Sequence, residues 1–233
     1  EKTVRVFGPA GTIERVGHRL AGYTWNLAQR YATELTFVVT EVISASEGRE
    51  ATFRFRNQFR REAEAARSLT DGVIRDEDGF RVRAAVLDHR TPCLAYAVEE
   101  PVHVNVWKDR LDRLGLPVGR WLRAAKQAIL SNQPDETPIR IDRRGQPLED
   151  ARTLPLGVLK QEVLRIVPGQ KIGYVVDVGY TPENVSRIVD LVGGADMLFI
   201  EAVFAAADAA HAADRAHLTT AQAGEIARRA GVK

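Results

Sequence analysis

Four side chains in this sequence stand where chemistry is done. Asp177 follows the apolar run Gly173 to Val176, and Glu201 follows Met197 to Ile200. Short apolar runs of this kind read as buried strands, and a carboxylate just past a strand end points into a cleft. His89 follows another such run, Phe80 to Leu87, with Asp88 between. An imidazole facing a loop is a natural metal ligand, because zinc accepts it and loops supply open coordination positions. Taken alone, His89 reads first as an ordinary surface histidine. His217 lies two residues before Thr219, and Gln222 follows three residues later, the spacing of a capping box. A helix N-terminus beside His217 would favour an anionic phosphate. The plainer alternatives are that Glu201 pairs with an arginine and that His217 merely precedes a helix cap.

The elements that must position these residues alternate strand with helix. Val185, Ile188, Val189 and Val192 recur at helical spacing, and Gly193-Gly194 stop that helix before the strand Met197 to Ile200. Ala223, Ile226, Ala227 and Ala230 mark a last helix. Earlier, Val4 to Phe7 reads as a strand leading through Gly8-Pro9-Ala10-Gly11-Thr12 into a helix from Ile13 to about Tyr31, with Val16, Leu20 and Leu27 facing inward. That turn is either a plain turn or a phosphate cradle at a helix N-terminus. Phe37 to Val42 reads as a strand with Glu41 near its end, and Leu94 to Val98 as the strand returning from His89. Pro101 to Pro168 is irregular, with helical patterns at Trp107 to Leu114 and Trp121 to Leu130.

Composition narrows the class. The chain has 233 residues, 45% of them hydrophobic, enough for a globular core. One cysteine, Cys93, excludes an intrachain disulfide framework and agrees with a cytoplasmic protein. No apolar run reaches membrane-spanning length. With 33 basic against 31 acidic residues the net charge is +2, so nothing global demands nucleic acid. Locally, Phe53 to Arg61 carries Arg54, Arg56, Arg60 and Arg61 with no acid, interleaved with Phe53, Phe55 and Phe59. Such a segment either contacts phosphates and stacks bases or is an amphipathic surface element with its rings turned inward. Arg140, Arg143 and Arg144 are further phosphate candidates in a loop, while His18, His103 and His211 read as surface or satisfied core residues.

The pieces DVGYTPEN, ADMLFIEAVF and HLTTAQAGEIARRAGVK, in that order and spacing, resemble the carboxy-terminal part of ribonuclease Z, the enzyme that trims precursor tRNA 3′ ends. VFGPAGT, VLDHRTPCLAYAVEE and LGLPVGR resemble further passages of the same family. The resemblance implies an α/β fold, the αββα sandwich of the metallo-β-lactamase type, incomplete at both ends because no HxHxDH motif and no final ligand histidine occur in the chain. It implies one metallo-β-lactamase-like domain over residues 1–233, with an arginine-rich insertion at 50–70 and a substrate-arm-like region at 101–168. His89 and Asp177 become metal ligands at a site of two zinc ions. Glu201 orients His217, and His217 stabilises the scissile phosphate or protonates the leaving 3′ oxygen. The expected activity is zinc-dependent endonucleolytic hydrolysis of precursor tRNA at the 3′ trailer, in the cytoplasm, by a protein that binds RNA and forms a homodimer. The alternatives are another hydrolase on this fold, such as a lactonase, an arylsulfatase-like enzyme or a small phosphodiesterase, and a metal-free RNA-binding or scaffold member.

Overall fold

Along Phe80–Asp88, Ala84 and Val86 enter one apolar cluster while Ala85 and Leu87 enter another. A strand with both faces covered must divide its side chains in this way, and the division organises the unit that carries the four residues. The computed structural model describes residues 1–142 and 152–233. They fall into two units, Glu1–Glu100 with Gln170–Lys233, and Pro101–Gly169.

The first unit opens with β1 (Lys2–Pro9), α1 (Thr12–Ala21), β2 (Leu35–Val42), β3 (Glu47–Arg54) and β4 (Arg61–Ser68). These four strands form a sheet in the order β1-β2-β3-β4, parallel between β1 and β2 and antiparallel thereafter. β5 (Val73–Glu77), β6 (Phe80–Asp88) and β7 (Pro92–Glu99) begin a second sheet.

The second unit contains β8 (His103–Val106), α2 (Lys108–Arg113), α3 (Trp121–Leu130), β9 (Pro138–Ile141), β10 (Arg152–Pro155), α4 (Leu156–Glu162) and β11 (Leu164–Val167). Its strands pair as two antiparallel ribbons, β8 with β11 and β9 with β10. Its core gathers around Trp121, Leu111, Leu156 and Leu159. The Trp121 indole N–H donates to the Pro117 carbonyl at 2.7 Å, which satisfies the one polar atom of a ring otherwise buried.

The first unit resumes with β12 (Lys171–Val175), α5 (Pro182–Val192), β13 (Met197–Ile200), α6 (Ala209–Arg215) and α7 (Thr220–Ala230). The second sheet is thereby completed in the order β13-β12-β7-β6-β5. α1 packs with Ile13 on Val39, Ala51 and Phe53 of the first sheet. Val42, Ile74, Ala84 and Leu94, with Phe7 and Val86 beside them, fill the space between the sheets. Ile188 and Leu191 of α5 and Ile226 of α7 cover Ala95, Ala97 and Val175 on the far side. The layers run helix, sheet, sheet, helix, the αββα sandwich. Ile188 and Ile226 are fully buried, and each contributes about 1.5–3 kcal/mol by leaving water. Gly173 lets α5 approach this closely, since a Cβ there would lie 2.7 Å from Val192 Cγ1.

Two expectations shift. The first helix stops at Ala21 instead of about Tyr31, because Gly22 follows and Trp25 folds back, donating its indole N–H to the Leu20 carbonyl at 2.8 Å and packing its ring 4.8 Å from that of Phe59. Val16 and Leu20 do face the core, whereas Leu27, now past the helix, is exposed.

Candidate metal and catalytic centre

Strand direction brings the four residues to one edge. β6 and β12 are each antiparallel to β7, and β12 is parallel to β13, so β6, β12 and β13 all point the same way. Their C-terminal ends therefore share one edge of the sheet. Asp88-His89, Asp177 and Glu201 emerge there in turn, and the chain returns to the same edge between α6 and α7, where His217 sits.

One ligand atom each of His89, Asp177 and His217 lies within 4.8 Å of the others, and the two imidazole rings are 4.7 Å apart between centroids. The histidines are half-buried and the aspartate is exposed. His89 Nδ1 is 2.8 Å from the Ala216 carbonyl. A carbonyl only accepts, so Nδ1 carries the proton and Nε2 keeps its lone pair for a ligand. Ala216 presents that carbonyl from a left-handed backbone, φ 56°, at the C-terminal end of α6.

His217 is fixed in the same manner. Its Nδ1 donates to Glu201 Oε1 at 3.0 Å, which leaves Nε2 as the nitrogen available to a proton or a metal. Glu201 is itself held: Oε1 also accepts from the Val178 backbone N–H at 2.9 Å, and Oε2 from the Leu218 N–H at 3.1 Å. The Phe204 ring packs against His217 on one side and His211 on the other. Behind these, Thr219 and Gln222 complete the expected capping box of α7.

Two nearby residues were not read as neighbours of the site from sequence. Buried Asn184, in the first turn of α5, bonds Asp88 and Gly179 with its side-chain amide. Cys93 donates its thiol to the Asp177 carbonyl at 3.4 Å. Burial, with the Asp88 and Asp177 carboxylates adding, pushes that thiol up to about 11, so it stays neutral at physiological pH and offers no thiolate.

Other candidates lie outside the cluster. At the Gly8–Thr12 turn, Gly11 takes φ 87° and opens α1, but Glu41 Oε1 already accepts the Ile13 N–H at 2.9 Å. A carboxylate thus sits where a phosphate would. In the arginine-rich segment Phe53 and Phe59 are buried, and Arg54, Arg56 and Arg61 pair with Glu62, Glu34 and Glu64. His18 is exposed beside Glu14, His103 and Arg140 belong to the second unit, and Arg143 and Arg144 lie outside the described residues.

No family model matches the chain. Ribonuclease Z of Deinococcus radiodurans is 33% identical over 230 residues, covering 98% of this chain and 63% of that protein. Ribonuclease Z of Thermobifida fusca is 34% identical over 219 residues, covering 94% of this chain and 55% of that one. The chain therefore spans little more than half the length of these curated relatives. Among solved structures, the short form of human tRNase Z aligns over 100% of this chain and 58% of its own, with a TM-score of 0.45 and 13% identity. On its near-complete alignment with these relatives, and with its αββα architecture, the chain belongs to the ribonuclease Z family of the metallo-β-lactamase fold.

Proposed function

We propose that this chain carries part of the active site of a metal-dependent endoribonuclease that cuts precursor tRNA at the 3′ trailer. The observation that carries the reading is the convergence of His89, Asp177 and His217 from three separate loops, with Nδ1 of both rings already engaged. An imidazole whose Nε2 is left free and a carboxylate suit zinc. His89 and Asp177 would hold the metal, which when bound supplies Lewis acidity toward a phosphoryl oxygen and activates water. Glu201, anchored by two backbone N–H groups, orients His217 through Nδ1 and leaves Nε2 to deliver a proton to the departing 3′ oxygen. Residues 101–168 would serve as the substrate arm on the body of the tRNA. We place the activity in the cytoplasm; among the described residues no helix is long and apolar enough to cross a membrane.

Cleavage of a precursor tRNA, with metal content measured on the same samples, tests this assignment. In the metal-loaded protein His217→Ala should lower kcat by about 10²–10⁴, the range for loss of a general acid, with bound zinc unchanged, whereas His89→Ala should lower zinc content. Full activity in His217→Ala removes it from the mechanism, and loss of zinc makes it a ligand. Hydrolysis of lactones without cleavage of precursor tRNA would replace the substrate.

A further inference from the structure

We propose that Asn184 is the positioning residue of this site, setting the separation of His89 from Asp177 by tying together the two loops that carry them; the proposal rests on the metal-site reading above. Asn184 is 2% exposed, and its side chain makes three hydrogen bonds to backbone. Nδ2 gives one proton to the Asp88 carbonyl and one to the Gly179 carbonyl, each at 2.8 Å, and Oδ1 accepts the Asp88 N–H at 3.0 Å. The amide orientation follows from the partners, since two carbonyls can only accept.

The placement of those partners gives the residue its role. Asp88 directly precedes His89, and Gly179 lies two residues beyond Asp177. The Gly179 N–H also donates to the Asp88 carbonyl at 3.1 Å, so the two loops touch at that carbonyl, and Asn184 holds Asp88 by both its N–H and its C=O. The residue reaches this point because Thr181 caps α5 and accepts the Asn184 N–H at 3.2 Å, which fixes the first turn of the helix over the loop. Asparagine alone fits. Aspartate has the size but no donor for two carbonyls, leucine has the size and no polarity, glutamine is one methylene too long, and serine is too short. Outer residues that orient metal ligands in this way typically affect metal affinity about 10- to 100-fold.

The test compares Asn184→Leu and Asn184→Asp with Val185→Ala. Val185 is the adjacent buried residue of α5, its apolar side chain makes no hydrogen bond, and its truncation leaves the bond from its backbone N–H to the Thr181 carbonyl in place, so it reports the stability cost. Zinc affinity is measured by competition with a chelating dye, stability by thermal unfolding, and the exchange of the Asp88 amide by hydrogen–deuterium exchange. We expect zinc affinity to fall about 10- to 100-fold in either Asn184 variant and to stay unchanged in Val185→Ala despite a lower Tm. Should Asn184→Leu fail to fold, Asn184→Asp carries the comparison. Unchanged zinc affinity in the Asn184 variants overturns the proposal. If the parent binds no zinc, the metal reading fails separately, and Asn184 is then judged on exchange: faster exchange at Asp88 than in Val185→Ala supports the positioning role, and equal exchange overturns it.

Discussion

Glu41 and Glu201 invite comparison. Each lies at or next to the C-terminal end of a strand, each is shielded from solvent, and each uses its carboxylate to accept backbone N–H groups. Glu41 serves one donor, Ile13 N–H at the start of α1, and its work is finished when that helix end is satisfied. Glu201 serves two backbone donors from separate loops and still has Oε1 available to the His217 ring. Topology makes the difference: among the described residues the second sheet delivers an imidazole, His217, to its strand-end carboxylate Glu201.

Replacing each glutamate by alanine sharpens that contrast. Glu201→Ala should have the largest effect, on the order of 3–5 kcal/mol of unfolding free energy, because it strands the Val178 and Leu218 N–H groups as well as the His217 ring. Denaturant unfolding measures it. Glu41→Ala should cost about 1–2 kcal/mol, the scale of one lost helix cap. Equal losses would break the comparison and reduce Glu201 to another structural cap.

Asp196 offers the smallest effect and a test by pH. It is a half-buried carboxylate just before β13, held below the usual carboxylate range first by the Lys233 ammonium at 2.7 Å and then by the Lys171 N–H at 2.8 Å. A carboxyl depressed in the folded state stabilises it at pH values above the unfolded pKa and loses that contribution as pH falls through the folded one. Asp196→Asn should therefore melt slightly lower than the parent at neutral pH, and the difference should shrink as pH falls through the folded pKa. A Tm difference that persists in acid would mean that the charge is not its source.

His89, Asp177 and Glu201 could be found in the sequence because each stands just past an apolar run, where side chains leave the core, and His217 because it just precedes the Thr219 capping box. What lay hidden was set by residues far away in the chain. Asn184 looks like an ordinary polar residue in a first helical turn; its burial comes from a loop 96 residues earlier. Arg61–Ser68 is rich in glutamate and alanine, which favour helix, yet it forms β4 because β3 provides a pairing edge. The strands of the second unit have four residues each, too few to display a period of two.

The bond from His89 Nδ1 to the Ala216 carbonyl spans 127 residues of chain. During synthesis at roughly 5–20 residues per second, the imidazole of His89 leaves the ribosome many seconds before the carbonyl that fixes its tautomer exists. Through that interval His89 and Asp177 are side chains without a final geometry, and His217 has not been made. A nascent chain that stops short of α6 lacks both Ala216 and His217, so the fixed tautomer of His89 and the three-residue cluster arise only with the last part of this sequence.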